Sequence, residues 1–463
     1  MLSETQIERI LLAALSRGGD FSEIYIEKSS GSGISMINGK LEKSSSGMDF
    51  GVGIRILEGT KCVYVYSNSL DEDTLVRMAL DASSSLRSVP VGLSVILTPR
   101  QSFVSNPRCS ADETDKSRKI ELLRRATAAA SEYHSSISQT VTGFSDGKKS
   151  VWVANSEGLY RSDERSCARF VVEAIASSAT EKQSGYFGPG AGGGFSFFED
   201  YPVEETARKA ADVAVTMLSA AECPSGRMPV VIENGFGGVI FHEACAHALE
   251  ATSVGVGASV FTDKLNQRIA SDIVTAYDDG TIPNAWGSLL MDDEGEDTVK
   301  NLLIENGVLK GYMIDRLGSR RMGMPATGSS RRSSYQYAPT SRMTNTFIAA
   351  GKDVPADIIR DTEYGLYAKN MGGGSVDPAT GEFNFAVNEA YLIRNGEIAE
   401  PVRGATLIGK GAEILTEIDR VGNNPALAQG MCGSSSGSIR VNVGQPTIRV
   451  KEITVGGRSS DEG

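Results

Sequence analysis

Residues 241–250 read FHEACAHALE, which places His242, Glu243 and His247 in one hexapeptide. The whole chain has 3 histidines, so two of them flanking a glutamate in so short a stretch is far from random order. Imidazole suits zinc, and a carboxylate beside one ligand can take a proton from water and deliver it to a leaving amine. The spacing, however, is H-E-x-x-x-H, one residue longer than the zinc-protease helix H-E-x-x-H. On a regular α-helix, residues five apart are separated by about 140°, which would aim His247 away from His242. A metal site here therefore requires a π-bulge within 242–247 or a break near Ala246, and a straight helix would exclude it. Catalytic zinc also needs a third protein ligand and an open position. Spacing alone leaves Glu250, Cys245 and the distant Cys432 as candidates.

The elements that must position these residues are legible in outline. RMPVVIENG (227–235) reads as a buried strand, and FGGVIFHEACAHALEA (236–251) as the helix that follows it. Beyond it, short apolar runs are joined by the turn pairs Asp279-Gly280, Asn306-Gly307 and Asn395-Gly396, a strand-rich pattern. Upstream, EIYIEK (23–28), GISMING (33–39) and CVYVYS (62–67) alternate as strands do. Helical spacing marks 70–86, 119–134 and 202–221, and Ser3 with Gln6 forms a capping-box signature for an N-terminal amphipathic helix. Residues 136–160 read as strand, Asp146-Gly147 turn, strand, and 167–177 as a further strand. The break at Cys223-Pro224-Ser225-Gly226 divides the chain. The expected architecture is α+β: an N-terminal α/β domain, 1–224, followed by a larger β-rich C-terminal domain, 225–463, carrying the metal-binding helix.

Composition sets the bounds. The 463 residues are 40% hydrophobic and 22% charged, values of a globular protein with a large core. No apolar run approaches the ~20 residues of a membrane-spanning helix. A net charge of −12 gives no global attraction to nucleic acid or anionic lipid, so neither is expected as a partner. The six cysteines (62, 109, 167, 223, 245 and 432) form no C-x-x-C pair and read mostly as reduced, buried thiols of a cytoplasmic protein. RGATLIGKG (403–411) ends on Gly411 where a nucleotide-binding loop needs Ser or Thr, and reads as a turn between strands. GYFGPGAGGGF (185–195) reads as a mobile loop that could cover a cavity, SRRMGMPATGSSRRSS (319–334) as a solvated basic loop or peptide groove, and GRSSDEG at the end as frayed.

Several motifs in one order resemble the TldD family of metallopeptidases. They are FHEACAHALEA, MDDEGEDTVKNLLIENGVLKGYMIDR (291–316), RRSSYQYAPTSRMTNTFI (331–348), GEFNFAVNEAYLIRNGEIAEPVRGATLIG (381–409), and GMCGSSSG (430–437) followed by VGQP. NGKLEKSSSGMDFGVGIRIL (38–57) adds to the likeness. The resemblance implies one zinc ion per chain held by His242, His247 and Cys432, with Glu243 as the acid/base. It implies a two-subunit assembly around a cavity, either a homodimer or a heterodimer with a TldE-type (PmbA) subunit, that cleaves unfolded or modified peptides. Stretches 372–377 and 341–347 are expected to line the peptide groove, with Arg342 as the test residue. Two other functions fit the same residues: a non-enzymatic partner-binding protein like the gyrase modulators, and a zinc hydrolase of a non-peptide amide.

Overall fold

The computed structural model describes residues 2–86, 94–99, 103–104, 114–199, 201–376 and 381–457. Cys109, Asp377 and residues 458–463 of the expected frayed end lie outside them. The chain is mixed α/β and strand-rich. Its N-terminal part is built on long antiparallel strands, Phe21–Ile37, Lys40–Glu58, Ile137–Asn155 and Leu159–Ser177, with Lys61–Ser67 beside the second. Apolar residues at alternate positions, Ile24 and Ile26 at one end of the first strand and Ile34 and Met36 at the other, enter two separate cores. Helices Glu4–Leu15 and Glu72–Ser83 cover the first; Lys116–Ser131 and Val203–Ser219 cover the second. The capping box forms: Ser3 N–H donates to Gln6 at 2.9 Å and Gln6 N–H to Ser3 Oγ at 3.3 Å.

Two expectations fail here. Residues 23–28 and 33–37 belong to one strand, Phe21–Ile37, with Asn38-Gly39 the turn after it, and Asp146-Gly147 lies inside the strand Ile137–Asn155. Asp146 is instead a buried partner of Lys119 and accepts from Ser32 Oγ at 2.8 Å, so the aspartate serves the sheet interior. The segment 185–195 is likewise not a single loop. Lys182–Phe187 and Gly190–Ala191 pair with Leu159–Ser177, and Gly194–Phe198 is a 3₁₀ turn.

Beyond Gly226, five strands close into a barrel. Gly226–Ile232 pairs with Tyr364–Val376, which pairs with Glu382–Arg394, then Thr406–Lys410, then Ile448–Gly456, which returns to Gly226–Ile232. Val230, Ile232, Leu366, Phe383, Phe385, Leu407 and Val450 belong to its core, joined by Val239, Ile240 and Phe241 of the following helix. A six-stranded sheet abuts it and ends on the hairpin Ala426–Ser434/Gly437–Gln445, whose first strand is an edge. Asn306-Gly307 and Asn395-Gly396 make the expected two-residue turns, with positive φ at both positions. Asp279-Gly280 does not: Ala276–Asp279 runs into a long loop and its partner strand begins only at Lys300.

The two parts meet through buried charge. Arg55 pairs with Glu23 at 2.8 Å and Glu294 at 2.6 Å, Arg332 with Glu23 at 2.7 Å, and Arg165 with Asp163 at 2.8 Å and Asp293 at 2.6 Å. The stretch 319–334 is therefore not a solvated basic loop throughout. Arg331 and Arg332 are buried, and Arg316–Met322 is a helix capped by Asp315.

Candidate metal centre

The segment that follows Gly226–Ile232 is not one helix. A 3₁₀ turn, Gly235–Gly238, leads into the α-helix Val239–Ala244; Cys245 leaves helical geometry at φ −129°, ψ −53°; a second 3₁₀ turn, Ala246–Leu249, follows. The break falls one residue before Ala246, and no π-bulge forms. It swings His247 back towards His242, so that the two rings stand 5.0 Å apart at 81°. Close packing fixes the helix at both ends. A Cβ on Gly238 would meet the backbone of Gly444, and one on Gly411 would overlap the carbonyl oxygen of Ala244.

Cys432 comes to the same point from the edge strand of the six-stranded sheet. Its Sγ lies 3.3 Å from His242 Nε2 and 3.2 Å from His247 Nε2. One ligand atom from each of the three residues falls within 4.8 Å of the others, and no other such trio exists among the described residues. A tetrahedral zinc ion, with Zn–S about 2.3 Å and Zn–N about 2.0 Å, would hold S and N about 3.5 Å apart, so this donor set fits the ion. The other two candidates lie outside the trio. Cys245 is wholly buried in apolar surroundings that push its thiol far up, and Glu250 lies behind His247, its Oε1 3.3 Å from Nδ1. That placement leaves Nε2 of His247 facing the trio. His242 is 2% exposed, and its Nδ1 has no hydrogen-bond partner.

Electrostatics favours a cation at this point. Burial lowers the His242 imidazolium well below its usual range, reinforced by His247 and Arg342, so this ring is neutral as a ligand must be. Burial would also lower His247, but Glu250 and Cys432 outweigh it and hold the proton. The negative field that retains a proton there would equally attract a metal ion. Glu243 Oε2 is 3.7 Å from His247 Nε2, on the side of the trio. Burial pushes its carboxyl up, with Glu250 adding and His247 and Arg342 opposing.

Arg342 has a different place from the expected one. Residues 341–346 are buried, so this stretch does not line a groove. The Arg342 guanidinium, wholly buried, donates to the Cys432 carbonyl at 2.7 Å, to Ser436 Oγ at 2.9 Å and to the Gly437 carbonyl at 3.1 Å. Its Nε stands 3.9 Å from Glu250 Oε1, so one side chain braces both the Cys432 strand and the carboxylate behind His247. Nothing in the spacing signals this. Of the other expected groove stretch, Gly372 and Gly373 line a cleft of about 650 Å³ between the two parts, together with Tyr186, Pro189, Glu233 and Gln429. None of His242, Glu243, His247 and Cys432 lines that cleft. Cys223 is buried like Cys245 and Cys432, whereas Cys62 is exposed and Cys167 half-buried; none of these five is in a disulfide.

Comparison with known proteins agrees over nearly the whole chain. Residues 225–457 match the model of the PmbA/TldA metallopeptidase C-terminal domain, 109–218 the central domain and 22–86 domain 1. A metalloprotease TldD homolog of Buchnera aphidicola is 34% identical over 95% of this chain and 93% of its own. That of Haemophilus influenzae is 35% identical over 95% and 94%. A zinc metalloprotease TldD homolog of Saccharolobus solfataricus is 31% identical over 52% and 54%. Among solved structures, a Thermotoga maritima protein described as a candidate modulator of a DNA gyrase superposes with TM-score 0.80 at 20% identity, over 98% of this chain and all of the other. TldE from Thermococcus kodakarensis gives 0.78 at 20%, over 98% and 100%. The chain belongs to the PmbA/TldD metallopeptidase family.

Proposed function

We propose that this protein is a zinc peptidase of the TldD type, with one ion per chain held by His242, His247 and Cys432 and with Glu243 as the acid/base. The observation that carries the reading is the convergence of two imidazole nitrogens and one sulfur within 4.8 Å, with a carboxylate beside them. The metalloprotease names of the relatives support it. When bound, zinc supplies Lewis-acid polarisation of a carbonyl and acidifies a water. Glu243 takes the proton from the attacking water and hands it to the departing amide nitrogen, so its carboxylate both starts and ends the cycle. Its raised proton affinity makes it a better base than an exposed glutamate. Glu250 and Arg342 hold His247 and the Cys432 strand in place.

The proposed working division is 1–224 as scaffold and 225–463 as the peptidase part. The substrates are unfolded or modified peptides, which an enclosed cavity in a dimer would admit while refusing a folded domain. The dimer is either a homodimer or a pair with a TldE-type subunit, the latter supported by the likeness to TldE. The cytoplasm is the proposed location; no helix of the described residues is long and apolar enough to cross a membrane.

Elemental analysis of the purified protein and cleavage of an unfolded peptide by wild type and Glu243→Gln test the reading together. About one zinc per chain in both, with turnover in the wild type cut by at least about 10²-fold in the variant, is the expected result. Equal turnover by the two proteins would overturn the role of Glu243. A protein without bound zinc that still cleaves would overturn the metal.

A further inference from the structure

Beside the hairpin that carries Cys432, and lined by its Met431, Ser438 and Arg440, a pocket of about 220 Å³ lies between the N-terminal sheet and the C-terminal part. Six cationic side chains line it, Lys148, Lys149, Arg165, Arg331, Arg332 and Arg440, against one carboxylate, Asp293. Four of the six have acidic partners: Lys148 with Glu164 at 3.5 Å, Lys149 with Glu27 at 3.1 Å, Arg332 with Glu23 at 2.7 Å, and Arg165 with Asp163 and Asp293. Arg331 and Arg440 have no carboxylate within ion-pair distance among the described residues. Arg331 is 4% exposed, and its guanidinium makes one hydrogen bond, Nη1 to the Met343 carbonyl at 2.5 Å. Arg440 is half-buried and stacks 5.3 Å over the Trp286 ring, while its Nη1 is fully buried without any hydrogen-bond partner.

A buried N–H without a partner, such as Arg440 Nη1, is costly, and a guanidinium does not escape by losing its proton. The imbalance is visible in Arg331, which burial pulls down to about 9, with Asp293 opposing and Arg342, Arg440 and Arg165 adding to the repulsion. Arginine forks match oxyanions in geometry as well as charge. The pocket has room for a phosphate-sized group.

We propose that this pocket is a binding site for a small oxyanion, held by Arg331 and Arg440. The ligand is a free phosphate-type ion or the terminal carboxylate of a peptide, two sources of the same chemistry. An anion there would bridge the N-terminal sheet, through Lys149 and Arg165, to the hairpin that carries Cys432. The inference does not rest on the peptidase reading, because its readout is binding.

The test is thermal unfolding of the metal-loaded full chain in sodium phosphate against sodium chloride at equal ionic strength. Wild type should gain several degrees in phosphate, saturating in the millimolar range, and Arg440→Gln should lose that gain. Ser438→Glu, an exposed lining position that would supply an internal anion, should melt higher without phosphate and respond little to it. Displacement of phosphate by a short peptide with a free C-terminus, but not by its amide, would assign the site to a peptide carboxylate; failure of both would assign it to the free ion. No gain over chloride in wild type, or the same gain in wild type and both variants, would overturn the site.

Discussion

At the scale of single residues, spacing separates the histidines and Glu243 from the background but cannot choose their third partner, which only the family resemblance of GMCGSSSG points to as Cys432. Cys245 and Glu250 stand near His247 in sequence, whereas Cys432 reaches His242 across 190 positions. Which sulfur arrives depends on the register of a hairpin, and spacing carries no information on that. Arg342 departs from the groove expectation for the same reason: nothing in the spacing signals that its guanidinium is wholly buried behind the site. Its three acceptors, Ser436, Gly437 and the Cys432 carbonyl, need a planar fork. Arg342→Lys should therefore weaken zinc binding by about 10–100-fold, as loss of a bracing contact does, read by competition with a chelator. Unchanged zinc affinity with a raised KM would return Arg342 to the groove.

At the scale of elements, local signals held where the local backbone decides and failed where neighbours decide. The capping box at Ser3 and the turns at Asn306-Gly307 and Asn395-Gly396 follow from their own residues. Asp146-Gly147 carries the same turn signal, but strands on both sides and the buried Lys119 keep it extended. Gly411 shows a third case. Its place in RGATLIGKG suggested a failed phosphate loop, while the structure sets it against the carbonyl of Ala244, at the end of the His242 helix. Gly411→Ala should displace that helix end and lower zinc occupancy in elemental analysis, with the barrel's far-UV circular dichroism retained; full occupancy would count against this coupling. Asp315, which caps the helix Arg316–Met322, gives a pH test. Burial first, then Glu294, with Arg55 opposing, raises its carboxyl from 3.8 to about 6. A raised acid penalises folding only where the native state must ionise it: not at all below about pH 4, increasingly up to pH 6, and fully above. Asparagine keeps an acceptor for the Gly318 N–H, at 3.0 Å in the wild type, without the charge. Asp315→Asn should thus be more stable than wild type by roughly 2–3 kcal/mol at pH 7 and equal to it at pH 4 in urea unfolding. An advantage independent of pH would point to packing instead.

At the scale of the whole molecule, the division after Cys223-Pro224 drawn from composition says nothing of how firmly the parts are joined. The acidic stretch Asp292, Asp293 and Glu294 is buried, each residue 1% exposed, and it reaches across the junction: Asp293 pairs with Arg165 and Glu294 with Arg55, both from the N-terminal part. Glu23 sits at the centre of this junction, shared by Arg55 from its own sheet and Arg332 from the C-terminal part. Removing one member of a buried ionic group leaves its partners uncompensated, at a cost of about 3–5 kcal/mol. If the two parts unfold as one unit, that cost must appear in both. The chain offers a reporter in each: its 2 tryptophans are Trp152, in a strand of the N-terminal sheet, and Trp286, in the C-terminal part. In Trp152→Phe and Trp286→Phe backgrounds, guanidinium unfolding should give coincident midpoints, and Glu23→Ala should lower both by the same amount. A shift confined to the Trp152 reporter would mean that the ion pairs only decorate a junction between independently stable parts. The site would then owe its geometry to residues 225–457 alone, since His242, Glu243, His247 and Cys432 all lie there.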